Sequence, residues 1–241
     1  MTGLLRGLIR RLIKAGEEGL RNHQAVMRLL AGVSAASLLD VGCADGTKAE
    51  AYARGLGIPL DRVKGIESRE NYAAEAREKF EVYKVDVEKD PFPVPDEAFD
   101  MIVCNQVLEH LKNIYLPLQE MDRALKTGGS LLIGVPNLAG LYNRFLLLLG
   151  RQPLAVAIDG PHVRGFAHCA FLRFLMQNPN FEVTALESSN LYPLPYPLLA
   201  LSGGKFTGLS SFTFYRLKKK AHNPAACGWK PGPSMDTFFG S

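Results

Sequence analysis

The sequence predicts an α/β protein in which helices cover both faces of a mostly parallel sheet. From Ser37 to about Asn137, short apolar runs alternate with stretches of helical periodicity, and this alternation is typical of parallel βαβ units. The chain has 241 residues, of which 47% are hydrophobic, which is enough for one large domain. Right-handed crossovers would bring the carboxyl ends of the parallel strands to one edge, where ligands bind.

The individual elements follow from local patterns along the chain. Short apolar runs predict strands at 37–41, 62–66, 81–86, 100–105 and 130–135. Helical periodicity predicts helices at 47–56, 69–80 and 116–125, and later at 141–149 and 169–177. Proline and glycine predict a loop at 91–95 and a turn at 127–129. Two late strands, at 181–186 and 212–217, are expected to pair antiparallel at the edge of the sheet.

The chain divides into three parts by composition. Residues 1–34 form a basic amphipathic helical segment, which either packs on the domain or lies on an anionic membrane surface. Residues 35–220 form the main domain. We expect this domain to carry a lid insertion at about 138–168 and a Pro/Tyr-rich insertion at about 190–209. Residues 221–241 hold few aliphatic side chains and are predicted to be a flexible tail.

Composition and charge narrow the classes of partner. The net charge is +4 without a dense basic block, so no nucleic-acid partner is expected, and the run Lys218–Lys220 is interpreted as a solvated end. Four cysteines without a C-x-x-C pair or a secretory signal predict a reduced, cytoplasmic protein. No apolar stretch reaches the length of about 18 residues that a membrane-spanning helix needs. Peripheral contact at the inner membrane face through residues 1–32 remains open.

The strongest chemical signal is a glycine turn at residues 38–46, with the sequence LLDVGCADG. A buried strand runs into this turn, which then opens a helix. Gly42 would let a ligand approach the backbone, and Gly46 would permit a tight turn. Ala44 stands where dinucleotide-binding proteins have their middle glycine, which argues against nicotinamide or flavin chemistry.

Polar residues stand at or near the carboxyl ends of four predicted strands. They are Asp40, Glu67, Asp86 and Asn105. A carboxylate at the end of the second strand can accept hydrogen bonds from both hydroxyls of a ribose, and one after the third strand can accept from an adenine amino group. Because all four would lie along one edge of the sheet, we interpret them as a nucleoside-binding site.

Five segments together resemble the class I S-adenosylmethionine-dependent methyltransferases. In chain order they are LLDVGCADG, GIES, VDV, FDMIVCNQVLEHL and LKTGGSLLIGVPN. The resemblance implies a Rossmann-like, doubly wound sheet of seven strands, mostly parallel with one antiparallel edge strand. It also implies the cofactor S-adenosyl-L-methionine.

The resemblance assigns cofactor-binding roles to particular residues. It places Asp40, Gly42 and the backbone of Cys43 and Ala44 at the methionine end of the cofactor. The other assignments are Glu67 to the ribose with Ser68 beside it, Asp86 and Val87 to the adenine, and Asn105 to the methionine side. Ala44 departs from the glycine that the family often has, so binding is expected to survive unless this position needs a positive φ.

Two histidines are candidate catalytic residues. Oxygen and nitrogen acceptors usually need a proton removed, and histidine is the natural base near neutral pH. His110 follows the fourth strand, and His162 lies in the predicted lid. Both alternatives, a catalytic and a structural role, stay open for each.

A metal is not expected at this place. Some quinone-pathway O-methyltransferases carry a Glu-x-x-Glu-His metal cluster here, and Glu109 and His110 match two of its ligands. Gln106 replaces the first glutamate, and a neutral amide is a poorer ligand than a carboxylate for a hard cation.

Methylation of an oxygen on a small molecule, a cell-surface glycan or a lipid-linked intermediate is the favoured function. The segments VPNLAGLYNRFLLLLG and GPHVRGFAHCAFLRFLMQNPNFEV are similar to methyltransferases of bacterial cell-surface polysaccharide and lipid-linked glycan synthesis. Tyr192 and Tyr196 could wall an apolar or sugar-binding cleft. The alternatives are N-methylation of a metabolite or protein, and a non-catalytic methyltransferase-like binding subunit. The acceptor and the oligomeric state are not identified by the sequence.

Overall fold

The computed structural model describes residues 18–192, 206–221, 223 and 228–230. Seven strands form one sheet in the order β3-β2-β1-β4-β5-β7-β6. The strands are β1 Leu38–Val41, β2 Val63–Glu67, β3 Glu81–Lys84, β4 Phe99–Asn105, β5 Leu125–Pro136, β6 Phe181–Ser189 and β7 Phe212–Lys219. Strands β1 to β5 pair in parallel, whereas β7 runs antiparallel to both β5 and β6. The predicted fold class is confirmed, and the antiparallel strand lies one place in from the outermost strand, β6.

Helices cover both faces of this sheet. They are α1 over residues 18–30, α2 Thr47–Leu56, α3 Glu70–Arg77, α4 Tyr115–Ala124, α5 Leu141–Leu148 and α6 His168–Leu175. Alternate residues of a strand point to opposite faces. Accordingly, Leu38 joins one buried cluster and Leu39 joins the other. A central strand buried on both faces explains why the sequence shows short apolar runs rather than polar–apolar alternation.

The described part of the N-terminal segment packs on the domain. In α1, Ala25, Val26, Leu29 and Leu30 are buried and belong to the same cluster as Leu38. This agrees with one of the two interpretations of residues 1–34 for the part from residue 18 onward. Residues 1–17, with the basic amphipathic pattern, lie outside the described residues.

Two local predictions were wrong in detail. The predicted turn at 127–129 lies inside β5, where the pairing with β4 slips between Phe99 and Met101. Gly128 adopts φ 83° in this irregular stretch, so the glycines signal a bulge instead of a chain reversal. Strand β3 ends at Lys84, so Asp86 lies in the turn after the strand.

The C-terminal part contains two more corrections. Lys219, expected in a solvated run, is fully buried at the end of β7. Trp229, in the predicted flexible tail, is also fully buried, stacks on Phe181 and donates a hydrogen bond to the carbonyl of Leu175 at 3.2 Å. Burial of the large indole ring of Trp229 stabilises the fold, although the Pro- and Gly-rich composition around it predicts a flexible segment. Residues 224–227 and 231–241 lie outside the described residues.

The predicted lid comprises α5 and the irregular stretch that follows it to α6. Leu154 is tied to α5 because its N–H donates to the side chain of Asn143 at 3.0 Å. Asn143 in turn donates to the carbonyl of Asn137, at the end of β5, at 3.1 Å.

In the described part of the chain, no helix has the length and apolar character needed to cross a membrane.

Candidate active site

The glycine turn after β1 holds its backbone in the left-handed region at three positions, Gly42, Ala44 and Gly46. Gly42 has φ 75°, and a Cβ there would collide with the side chain of Val107. Ala44 has φ 47°, which is costly for alanine. The N–H of Ala44 donates to Oε2 of Glu67 at 3.0 Å. This hydrogen bond links the turn to the end of the neighbouring strand β2.

Glu67 is the last residue of β2, and its carboxylate is buried. Oε1 accepts hydrogen bonds from the backbone N–H of Arg69 at 3.0 Å and from its Nε at 3.1 Å. A carboxylate offers about four acceptor sites, two on each oxygen, so one site remains on Oε2. A ligand hydroxyl is a chemical group that could use it.

Glu67 lies on the wall of a cavity of about 860 Å³, which we call the Glu67 cavity. Five of the residues predicted to bind the cofactor line it, together with one candidate catalytic residue: Gly42, Glu67, Ser68, Asp86, Val87 and His110. The sequence reasoning missed its other lining residues: Ile66, Arg69, Lys84, Val85, Glu88, Asp90, Gln106, Val107, Leu111 and Pro161. Four of them, Arg69, Val85, Gln106 and Val107, lie within two residues after a strand end, and that position was the available signal.

Four predicted cofactor residues, Asp40, Cys43, Ala44 and Asn105, are not on this wall. Asp40 is buried within β1, and burial raises its pKa to about 7. The Cys43 side chain is also buried, where a Cβ on Gly65 would collide with its Sγ. The amide of Asn105 donates to the hydroxyl of Tyr52 at 3.3 Å. The structure therefore places these four residues outside the lining of the Glu67 cavity.

Asp86 lies at the open rim of the Glu67 cavity. One carboxylate oxygen accepts from the N–H of Glu88 at 3.1 Å, and the other pairs with Lys89 at 2.6 Å. The hydrogen bond from Lys89 holds the pKa of Asp86 below its ordinary value. The carboxylate is therefore ionised at neutral pH and able to accept a further hydrogen bond.

A second cavity of about 270 Å³, which we call the Tyr192 cavity, lies between the lid, α1 and the ends of β5 and β6. Tyr142 and Tyr192 stand on its wall with ring centroids 4.6 Å apart in an edge-to-face arrangement. His162 and Leu154 contribute from the lid. Tyr196, the other predicted wall residue, lies outside the described residues.

The two candidate catalytic histidines stand between these cavities. His110 lines the Glu67 cavity, His162 lines the Tyr192 cavity, and their ring centroids are 4.8 Å apart. Nδ1 of His110 is 3.3 Å from the carbonyl of Pro161, and Nδ1 of His162 is 2.9 Å from that of Ala155. A carbonyl only accepts, so each Nδ1 carries the proton and each Nε2 presents a lone pair.

The environment of His110 favours its neutral ring. Burial lowers the pKa of His110, and a second contribution in the same direction comes from His162. A neutral ring with Nε2 unprotonated can remove a proton from a group between the two cavities. A third histidine, His168, begins α6 and places Nδ1 2.9 Å from the hydroxyl of Tyr215.

Glu109 is the unexplained polar group of this region. It is 1% exposed, and among the described residues neither carboxylate oxygen has a hydrogen-bond partner. Burial raises its pKa to about 8. Ligand atoms of Glu109, His110 and His162 lie within 4.8 Å of one another. Protonation or a cation would each satisfy this carboxyl group, so the absence of a metal stays a prediction.

Comparison with known proteins gives one family and several relatives. Residues 39–133 match the family model described as "Methyltransferase domain". The chain is 31% identical over 167 residues to a "Probable S-adenosylmethionine-dependent methyltransferase" of Mycolicibacterium smegmatis, covering 68% of this chain and 59% of that protein. It is 25% identical over 136 residues to the mitochondrial ubiquinone biosynthesis O-methyltransferase of Mus musculus, covering 54% and 36%.

The fold has counterparts among solved structures. A SAM-dependent methyltransferase from Thermotoga maritima superposes with a TM-score of 0.60 at 21% identity, covering 90% of this chain and 96% of that chain. This likeness concerns the fold alone. The chain spans 59% or less of the length of the two curated relatives described above.

Proposed function

We propose that this chain, which belongs to the class I S-adenosylmethionine-dependent methyltransferases, transfers a methyl group from S-adenosyl-L-methionine to an oxygen of a small molecule or lipid-linked glycan intermediate. The observation that carries the proposal is the pair of touching histidine rings, one on the wall of each cavity. A group-transfer enzyme needs a donor site and an acceptor site that meet at the reacting atoms.

The residues of the Glu67 cavity fit the proposed cofactor. The buried carboxylate of Glu67 has one unused acceptor site, on Oε2, for a ribose hydroxyl. Gly42 lines the cavity, and the absence of a side chain there makes room for Val107, which lines it too. Asp86 and Val87, on the same wall, would hold the adenine. When bound, the cofactor would supply a methyl group already activated on a sulfonium, so positioning contributes much of the rate.

The histidines would remove the proton from the hydroxyl of the acceptor. A hydroxyl placed between the cavities can donate to an Nε2 lone pair and lose its proton to that nitrogen as the new bond forms. The carbonyls of Pro161 and Ala155 hold the two rings in the required tautomer through Nδ1. An oxygen acceptor is favoured because a hydroxyl needs such a base, and because one curated relative is named as an O-methyltransferase.

The Tyr192 cavity would receive the acceptor. Its wall combines the edge-to-face pair Tyr142 and Tyr192 with polar groups from Asn143 and Asn190. Aromatic faces with a few polar groups suit a ring-shaped, partly apolar substrate such as a sugar or a phenol.

The test has two stages, binding and transfer. Calorimetric titration with S-adenosylmethionine and S-adenosylhomocysteine should give micromolar dissociation constants. Methyl-labelled cofactor should then label a sugar or lipid-linked glycan. In the double variant His110→Asn/His162→Asn, binding should persist while transfer falls roughly 100-fold or more, the size of a lost general base. His168→Asn is the matched control, since His168 lines neither cavity.

The outcomes separate the three candidate functions. A labelled amine, with oxygen acceptors unlabelled, would establish N-methylation instead. Cofactor binding without transfer to any acceptor, and full biological activity of the double histidine variant, would indicate a non-catalytic binding subunit. Absence of cofactor binding by folded protein would overturn the proposed donor site.

A further inference from the structure

The lid carries an exposed apolar surface beside the mouth of the Tyr192 cavity. On α5 and just after it, Phe145, Leu148 and Leu149 occupy one helical face with spacing i, i+3, i+4. Leu148 is 82% exposed, and Ile158, farther along the lid, is 90% exposed. Leu154 is also exposed and lines the cavity. We name these five residues the apolar rim.

An exposed apolar surface of this kind is expected to contact another molecule. Single exposed apolar side chains are ordinary, but a contiguous apolar helical face marks an interaction site. Leu154 belongs both to the rim and to the cavity wall, so whatever covers the rim also faces the entrance for the acceptor.

The charge around the rim is positive. Residues 141–158 contain Arg144 and Arg151 and no acidic residue; the first is Asp159. Both arginines are exposed. A flat apolar surface bordered by arginines matches the interface of an anionic bilayer, where acyl chains lie beneath negatively charged headgroups.

The N-terminal segment leads to the same place. The described chain begins with Glu18 and Arg21 on the wall of the Tyr192 cavity. The residues before them contain Arg6, Arg10, Arg11 and Lys14, no acidic residue before Glu17, and apolar residues at helical spacing. In the sequence, this basic apolar stretch directly precedes residues that stand on the wall of the Tyr192 cavity.

We propose that the apolar rim and the basic N-terminal segment together dock this protein on an anionic lipid surface, with the Tyr192 cavity facing the membrane. The docking surface stands on its own observations. Its consequence, that the acceptor is an amphiphile held in the bilayer, rests on the proposed methyltransferase function.

Vesicle co-sedimentation of the full chain tests the docking surface. Vesicles of phosphatidylcholine with about 30% phosphatidylglycerol should bind the protein, and pure phosphatidylcholine should bind it far less. Binding should weaken at high salt because the arginine contribution is screened. The variant Leu148→Ser/Ile158→Ser should bind the anionic vesicles roughly tenfold more weakly, because two apolar side chains no longer enter the interface.

A matched control is available at the other end of the neighbouring helix. Met176 follows α6 and is 64% exposed. Two residues later, Asn178 donates a hydrogen bond to Asp122 at the edge of the sheet opposite the cavities. Met176→Ser should leave vesicle binding unchanged. Calorimetry with S-adenosylmethionine needs no membrane, so loss of cofactor binding and loss of docking are separate failures.

Three results would overturn the proposal. The first is no binding of the wild-type chain to anionic vesicles, and the second is equal binding by the double serine variant. The third is protection of Phe145 and Leu148 from hydroxyl radicals before vesicles are added. Such protection would mean that the rim is already covered, by residues 1–17 if it is independent of concentration, or by a second copy if it rises with concentration.

Discussion

The two edges of the sheet bury polar side chains in opposite ways. At the edge where the parallel strands begin, Lys219 donates to the carbonyls of Asp122 at 2.6 Å and Leu125 at 2.8 Å, and pairs with the Asp122 carboxylate at 3.3 Å. Asn178 and Asn180 donate to the other carboxylate oxygen at 3.1 and 3.0 Å. This cluster, which we call the closed cluster, joins α4, β7 and the start of β6. Among the described residues, the Asp122 Oδ1 has the ion pair with Lys219 but no hydrogen bond.

At the edge where the parallel strands end, several buried polar atoms have no hydrogen-bond partner among the described residues. Within the described residues, the Oδ1 of Asn105, the Nε2 of Gln106 and both oxygens of Glu109 have no hydrogen-bond partner. The backbone is strained there too, with φ 47° at Ala44 and φ 59° at Gln106. Unsatisfied groups and strain cost stability, so their concentration beside the two cavities indicates that this edge serves ligands.

The largest effect on stability is expected from a substitution at Lys219. Lys219→Met would leave the buried Asp122 carboxylate without its cation, so the free energy of unfolding should fall by about 3–5 kcal/mol. Urea unfolding followed by circular dichroism measures this change. Lys218→Met, at the exposed neighbouring position, should change it by less than about 0.5 kcal/mol. Equal stability of both variants would mean that the closed cluster contributes little to stability.

The next largest effect is expected at Glu67, on the ligand side of the comparison. Glu67→Gln should weaken S-adenosylmethionine binding roughly 100-fold, since charge-assisted hydrogen bonds are lost. Calorimetric titration gives the dissociation constant, and the thermal midpoint shows that the variant is folded. Glu75→Gln, on the exposed face of α3, is the control and should bind normally. Unaltered affinity of Glu67→Gln would remove Glu67 from the proposed site.

The smallest effect is a gain in stability at Ala44. Glycine tolerates a positive φ without a Cβ clash, so Ala44→Gly should raise the free energy of unfolding by about 1 kcal/mol. Ala74→Gly, at an exposed position within α3, should lower it by a similar amount because glycine is a poor helix former. Both are measured by urea unfolding. A loss of stability in Ala44→Gly would show that the turn is not strained.

Local patterns were enough to predict much of the fold. The helix Thr47–Leu56 begins and ends where its periodicity predicts, and six of the seven strands were placed within two residues at their start and three at their end. Strand β5 was the exception, because Thr127–Gly129 reads locally as a turn and becomes part of the strand only through pairing with β4. Strand-end positions also pointed to Glu67 and Asp86 on the wall of the Glu67 cavity, the glycine turn pointed to Gly42, and the family resemblance pointed to Ser68 and Val87.

What the sequence by itself determined is the order of the elements and the glycine turn, because these depend on neighbours along the chain. Tertiary structure decided which buried polar side chains have hydrogen-bond partners within the fold and which are left without them beside the cavities. Lys219 belongs to a run of three lysines, and only its contact with α4 makes it a core residue. His110 and His162 lie far apart in sequence, and only the return of the lid over the sheet brings their rings together. Such contacts join distant segments, and no local pattern encodes them.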